Sequence, residues 1–261
     1  MTRLTSRTAL VTGGSRGIGR AIAERLAADG ALVAVHYGSD DTAAKDAVAA
    51  IEAAGGQAFA VRATFGTDGA IEQLAGAVAA ELHRCTGSDR LDILVNNAAV
   101  SESDGGIEAE TPAAFDRLFA INVRTPFFLI QRLLRQMGAG GRIVNIGSAV
   151  TRIALPGELG YAMTKAALAT LGRNLANEVG PRGITVNTVN PGPTRTDRTA
   201  FLFDQPQAAA MVSAGQAIER IGLPSDIAAV VAFLAGDDAG WITANTIDAT
   251  GGSYLGPKTL G

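Results

Sequence analysis

The feature that most constrains this chain is an alternation in which short runs of branched apolar residues are separated by longer alanine-rich segments of helical period. Strand-like runs occupy residues 8–12, 32–36, 57–62, 92–96, 142–146, 185–190 and 243–248. Between them the spacing of apolar residues predicts helices over about 17–29, 41–54, 68–84, 112–137, 158–179 and 225–235. Parallel strands need long crossover connections, which are almost always right-handed and usually helical. The expectation is therefore an α/β fold, a doubly wound parallel sheet of seven strands with helices on both faces.

Composition narrows the function. With 47% hydrophobic and 18% charged residues, the 261-residue chain can bury a sizeable core, and no linker or composition break divides residues 1–261 into two domains. A net charge of -3 with both signs spread along the chain offers no basic face, so neither nucleic acid nor a membrane is expected as a partner. Cys85 is the only cysteine, which excludes an internal disulfide and a cysteine-rich zinc site. His36 and His83 lack metal-type spacing with acids, so no metal is expected. The first strand run begins at Thr8, too early for a signal peptide, and no apolar run is long enough to span a bilayer; the expected location is cytoplasmic.

The first strand leads into Thr12-Gly13-Gly14-Ser15-Arg16-Gly17-Ile18-Gly19 and then an alanine-rich helix. Glycines let such a turn be tight and its backbone come close to a phosphate, while the helix start presents free N–H groups and a positive dipole end. The turn is a candidate anion cradle, although a glycine-rich βα turn can also be purely structural.

A second constellation carries acid–base chemistry. Tyr161 and Lys165 lie four residues apart, on one face of a predicted helix, in a chain with only three tyrosines and three lysines. A nearby cation favours the phenolate and makes proton transfer feasible near neutral pH. Ser148 lies thirteen residues before Tyr161, at the carboxyl end of the strand over 142–146, the edge where open α/β sheets bind ligands. Its hydroxyl can donate to a carbonyl oxygen that gains negative charge.

The Thr-Gly-x-x-x-Gly-x-Gly turn and the Ser148, Tyr161 and Lys165 set, with Asn96-Asn97-Ala98-Ala99 and Asn190-Pro191-Gly192, resemble the short-chain dehydrogenase/reductase family over nearly the whole chain. The resemblance implies a Rossmann-type sheet, a nicotinamide cofactor and reduction of a ketone to an alcohol, with Tyr161 as acid/base and Lys165 bonding the nicotinamide ribose. It adds Asn122 as the residue holding a relay water. It implies cofactor contacts from Gly13, Ser15, Arg16, Gly17, Ile18 and Gly19. It extends them to His36, Tyr37, Gly38 and Ser39 after the second strand, Thr64 and Phe65 after the third, and Asn97, Ala98 and Ala99 after the fourth. Pro191, Gly192, Thr194 and Thr196 follow the sixth strand, and Tyr161 and Lys165 complete the set. No carboxylate ends the second strand to bond a ribose 2′-hydroxyl, and Arg16 with Ser39 suits a 2′-phosphate, so NADP(H) is the expected cofactor. Two departures stand out, Ala99 where the family usually has glycine and Thr64 where it commonly has aspartate.

The resemblance is to 3-oxoacyl-carrier-protein reductases and polyketide ketoreductases, so the expected partner is a small-molecule carbonyl compound, free or carrier-bound, and the expected assembly a homotetramer through the helices at 112–137 and 158–179 and the region of Trp241. Residues 193–215 read as a substrate lid, with Leu202, Phe203 and Met211 beside Val150, Leu155 and Leu159 forming an apolar wall. Alternatively, Phe201 and Phe203 belong to the core. Arg152 or Arg195 is a candidate for an anionic substrate group; the excess of arginine over lysine reads as composition bias. Glu102, Asp104, Glu108 and Glu110 read as a solvated loop. Two other functions remain open: a non-catalytic NADP-sensing protein, and an enzyme of this fold using Tyr161 for elimination or epimerisation.

Overall fold

In the computed structural model, which describes residues 4–101, 106–253 and 255, strand β1 (Thr8–Val11) is fully buried and enters helix α1 (Gly17–Ala28) through the glycine turn. The chain continues through β2 (Leu32–Tyr37), α2 (Asp41–Ala53), β3 (Gln57–Arg62), α3 (Ala70–Thr86) and β4 (Ile93–Asn96). Short α4 (Gly106–Ala109) precedes α5 (Pro112–Phe119), α6 (Thr125–Leu133), β5 (Arg142–Ile146), α7 (Leu159–Val179) and β6 (Thr185–Pro191). Segment 193–215 contains α8 (Ala200–Phe203) and α9 (Pro206–Ala214), and α10 (Pro224–Ala235) leads to β7 (Thr246–Ala249). Of the acidic loop, Glu102 and Asp104 lie outside the described residues.

All seven strands pair in parallel in the order β3-β2-β1-β4-β5-β6-β7. Alternate residues of each central strand feed two separate cores, as the two-residue side-chain period requires. Val11, Val33, Val95 and Val144 pack with Ile22 and Leu26 of α1 and Val231 of α10. Leu10, Leu94, Ile143 and Val186 face Leu74 and Val78 of α3, Leu129 of α6 and Leu175 of α7. Strand order reverses at β1, between β2 and β4, which opens a crevice at the carboxyl edge above β1 and β4.

Two elements differ from the periodic reading. The helix expected over 112–137 is interrupted at Ala120–Arg124 by a widened π turn, where the Thr125 hydroxyl donates to the Ala120 carbonyl at 2.9 Å. The last strand starts at Thr246 and not 243, because Ala244 takes a left-handed φ of 62° while its N–H still reaches the Val186 carbonyl at 2.8 Å.

Candidate active site

The glycine turn is shaped by space as much as by φ. A methyl group on Gly19 would sit 2.1 Å from the Gly13 carbonyl oxygen, and Gly13 itself has φ +63° with Ala98 3.1 Å from where its Cβ would lie. At the start of α1 neither a capping side chain nor an acidic residue occupies the first turn, so its N–H groups are available to a phosphate. That bare cradle fits a dinucleotide, and Gly13, Ser15, Arg16, Gly17, Ile18 and Gly19 are placed around it.

Asn97, Ala98 and Ala99 follow β4 on the other side of the crevice. The N–H groups of Asn97 and Ala98 both donate to the Thr12 hydroxyl, at 2.9 and 3.0 Å, and the Asn97 amide donates to the carbonyls of Thr12 and Gly13. Asn97 thus braces the turn with both its side chain and its N–H. His36 has a similar position. Its Nδ1 accepts the Gly13 N–H at 3.0 Å, its Nε2 faces the Ala63 carbonyl at 3.0 Å, and its ring stacks on Phe65 at 4.3 Å. Burial lowers its pKa to about 4, so the ring is neutral at ordinary pH with the proton on Nε2. With both nitrogens engaged by backbone, His36 holds the cradle from behind; the sequence alone suggests a direct cofactor contact.

The end of β2 carries Tyr37, Gly38 and Ser39, and the hydroxyl of Thr64 donates to the Gly38 carbonyl at 3.3 Å. Arg16 reaches the same corner, 3.5 Å from the Asp40 carboxylate that caps α2 through the Ala43 N–H. Burial raises the Tyr37 phenol, and a bond to Asp41 adds to the rise. No carboxylate precedes Asp40 on this strand end.

On the opposite side of the crevice, Ser148 follows the end of β5 by two residues. The Asn190 amide oxygen of β6 accepts the Ser148 N–H at 3.0 Å, while the Asn190 nitrogen donates to Asp248 at 2.8 Å. Gly147 lets that amide in, since a Cβ there would lie 2.1 Å from the Asn190 oxygen. Asn190 was legible only as part of a motif; its support of Ser148 depends on the pairing of β5 with β6.

Helix α7 presents Tyr161 and Lys165 on its buried face, toward Ser148. The Tyr161 phenol lies within electrostatic reach of Ser148 and of Arg198 from segment 193–215. Burial raises the phenol above its ordinary value; Arg198 and Ser148 act against that rise and the charge of Glu158 adds to it. The Lys165 ammonium donates to the Ile146 carbonyl at 2.8 Å and lies 5.5 Å from the centre of the Tyr161 ring. Burial, with repulsion from Arg198, lowers Lys165 to about 7.

Asn122 sits in the π turn, its amide oxygen accepting the Val100 N–H at 2.9 Å and its nitrogen donating to the Val100 carbonyl at 2.7 Å. The same nitrogen reaches the Thr164 hydroxyl at 3.1 Å, which donates to the Tyr161 carbonyl at 2.7 Å. This amide therefore ties the segment after β4 to the helix that carries Tyr161. Pro191, Gly192, Thr194 and Thr196 line the start of segment 193–215, where Gly192 lies so close to Thr250 that a Cβ would approach its Cα to 2.6 Å.

Segment 193–215 corrects part of the apolar wall. Phe203 is buried, whereas Phe201, Leu202 and Met211 are exposed, as are Leu155 and Leu159 beside the site. Neither arginine suggested for an anionic group is unengaged: Arg195 pairs with Asp204, and Arg152 lies 3.5 Å from Asp248. Arg198, which no sequence motif singles out, is the arginine whose charge acts on Tyr161. Among the described residues no group of histidine, cysteine and acidic side chains could hold a metal, and no helix is long and apolar enough to cross a membrane.

Known proteins are similar to this chain over most of its length. Residues 13–253 match the family model described as enoyl-(acyl carrier protein) reductase. The 3-oxoacyl-(acyl-carrier-protein) reductase FabG of Haemophilus influenzae is 38% identical over 97% of this chain and 100% of its own. The reductase LugOII, which catalyses keto-reduction at C1 during lugdunomycin biosynthesis, has 48% identity and a TM-score of 0.93, covering 97% of this chain and 100% of its own. The angucycline C-6 ketoreductase LanV with bound NADP has 47% identity and a TM-score of 0.92, covering 98% of each chain. With the glycine cradle, the Ser148, Tyr161 and Lys165 corner and this similarity over almost the full length, the chain belongs to the short-chain dehydrogenase/reductase family of oxidoreductases.

Proposed function

We propose that the chain is an NADPH-dependent ketoreductase that converts a ketone to an alcohol, with Tyr161 as the acid. The observation that carries this reading is that buried Tyr161 and Lys165 on α7 face Ser148 at the carboxyl edge of β5, beside a bare phosphate cradle. Gly13, Ser15, Gly17, Ile18 and Gly19 would hold the pyrophosphate, and Arg16 with Ser39 the 2′-phosphate. Thr64 and Phe65 border the adenine, and Asn97, Ala98 and Ala99 the adenosine and nicotinamide riboses. Pro191, Gly192, Thr194 and Thr196 take the carboxamide and pyrophosphate. When bound, the nicotinamide supplies a hydride to the carbonyl carbon.

The protein's own groups do the rest. Ser148 donates to the carbonyl oxygen as negative charge builds there, which lowers the barrier in proportion to that charge. Tyr161 gives the same oxygen its proton, and Lys165 restores the phenol while bonding the ribose. Asn122 shapes the turn through which a water relay reaches Lys165. The polar donor pair suits a carbonyl acceptor better than the carbon–carbon double bond named in the family description.

The exposed apolar surface of Leu155, Leu159 and Leu202 favours a mostly apolar substrate, of the kind LugOII and LanV reduce, or an acyl chain on a carrier as for FabG. Residues 193–215 act as the lid. Phe127 and Phe128 on α6, Met163 on α7 and the 99% exposed Trp241 are apolar surfaces suited to a homotetramer, which a light-scattering mass will test. The decisive assay follows NADPH absorbance over a carbonyl panel: a polycyclic aromatic ketone, a 3-oxoacyl thioester and a simple ketone, with NADH in parallel. Turnover of one class with NADPH supports the reading; product formation without net NADPH loss points to elimination or epimerisation, and NADPH binding without chemistry on any member points to sensing.

A further inference from the structure

We propose that Arg62, at the end of β3, is a second arginine for the 2′-phosphate of NADP(H), and that Asp40 and Asp41 at the start of α2 compete with that phosphate for the two arginines, so that four side chains set the preference for NADPH over NADH. The inference rests on the reading of NADPH as cofactor, and it adds a residue of β3 to a corner so far given to Arg16 and Ser39.

Parallel pairing of β2 with β3 sets Arg62 opposite Tyr37, the residue before Gly38. From there its Nε donates to the Gly38 carbonyl at 3.3 Å, and the Thr64 hydroxyl donates to the same carbonyl at 3.3 Å. Arg62 is thereby drawn over the carboxyl end of β2, the place where dinucleotide folds read the 2′ position of the adenosine ribose. Because β2 lies between β1 and β3 in the sheet, Arg16 from the turn after β1 and Arg62 from β3 reach this strand end from its two sides. A Cβ built on Gly38 meets nothing within 4 Å, so the space at the strand end is open to a ligand.

Each arginine faces one of two consecutive carboxylates. Arg16 Nη1 is 3.5 Å from Asp40, and Arg62 Nη1 is 3.8 Å from Asp41. Beside Arg20–Glu24 at 2.7 Å and Arg25–Asp29 at 3.0 Å on α1, both pairs are loose. Exposed pairs of this kind contribute little to stability, so little is lost when a better acceptor arrives. A phosphate monoester is that acceptor: it brings nearly two negative charges and three oxygens, and the planar fork of a guanidinium meets it with paired hydrogen bonds. A ribose hydroxyl brings no charge, and the carboxylates then keep both arginines. Asp40 and Asp41 therefore weaken binding of the phosphate alone. Of the two, Asp41 can be neutralised without touching the helix start, because Asp40 also caps α2 by accepting the Ala43 N–H at 2.9 Å.

The test is direct binding of NADPH and NADH to the full chain, read in parallel from nucleotide fluorescence, so that it needs no turnover. The unaltered chain is expected to bind NADPH about tenfold or more tightly than NADH. Arg62→Met is expected to raise the Kd for NADPH about tenfold and to leave that for NADH within about twofold, with Arg62→Lys, which keeps the charge and loses the fork, in between. Asp41→Asn is expected to tighten NADPH about threefold without changing NADH, a gain that damage to the fold does not produce. A Kd for NADPH in Arg62→Met within about twofold of the unaltered chain overturns the proposal, as does an equal loss for both nucleotides, which makes Arg62 a support for the strand end. Unchanged or weaker NADPH binding in Asp41→Asn overturns the part given to the carboxylates. Equal binding of the two nucleotides by the unaltered chain instead overturns the NADPH reading itself, and so is distinct from a failure of Arg62.

Discussion

The two sides of the crevice are built from different materials. The cradle side is backbone: free N–H groups at the start of α1, glycines whose missing Cβ atoms leave room, and side chains such as Asn97 and His36 that bond to backbone groups. The proton-transfer side is made of ionisable side chains, with Tyr161, Lys165, Glu158 and Arg198 within one another's fields. A backbone site is sensitive to added volume and insensitive to charge, because its donors cannot titrate. A side-chain site is the reverse. On the proposed function the division also separates the tasks: the cradle would bind and the corner would do the chemistry.

The sharpest test of that division removes one oxygen. Tyr161→Phe is expected to cut kcat by roughly 10²- to 10⁴-fold while the Kd for NADPH, read from nucleotide fluorescence, stays within about twofold. A large loss of affinity in this variant would merge the two sides into one unit. The converse change adds one methyl group to the cradle. Gly19→Ala places a Cβ 2.1 Å from the Gly13 carbonyl oxygen. Relief of that clash shifts the turn, and overpacking of this kind costs about 1–3 kcal/mol. NADPH affinity is expected to fall roughly 10- to 100-fold, with the pH profile of kcat unchanged.

How far each side was legible from sequence follows the same division. Glycine spacing and strand runs announce a backbone cradle directly, because glycine is chosen for its conformation and its lack of volume. Tyr161 and Lys165 were legible because one helix carries both. Arg198 was not, since its effect on Tyr161 depends on how residues far apart in the sequence come together, and arginines are common throughout this chain. The interruption of the long helix had only a faint signal, an asparagine among apolar residues; the amide of Asn122 bonds Val100 across the crevice, and the widened turn accompanies that bond. The short β7 was hidden for a similar reason, as Asn187 draws the Ile242 carbonyl at 2.7 Å and the chain turns at Ala244 before it can pair.

Smaller effects come from the buried titratable groups. Lys165 binds its proton at about 7 when folded and at 10.5 when unfolded. Between those values the unfolded chain holds the extra proton, so this residue's cost to stability is full below about pH 7 and fades as pH rises toward the unfolded value. Lys165→Met is therefore expected to raise Tm near neutral pH, with the gain shrinking at alkaline pH, even as it impairs turnover. A Tm gain independent of pH would mean that packing, and not the charge, accounts for it.

His36 places a buried titratable group on the cradle side, and so tests whether that side is free of charge effects. Its folded value is about 4 against 6.5 when unfolded. As pH falls through that window the unfolded chain takes up a proton that the folded ring refuses; the contribution to stability is full above the unfolded value and is lost by the folded one. Protonation would also turn Nδ1 from the acceptor of the Gly13 N–H into a second donor facing it. Asparagine offers an amide oxygen near the place of Nδ1 and does not titrate. In thermal melts across that window, His36→Asn is expected to flatten the acid loss of stability, while NADPH affinity at neutral pH changes less than about threefold. His36→Leu removes the acceptor altogether and is expected to weaken NADPH binding by about tenfold, the loss of one hydrogen bond to a buried donor. If the asparagine and leucine variants bind NADPH alike, the ring acts by stacking on Phe65 and not by holding Gly13, and the cradle is then braced by Asn97 and Thr12 alone.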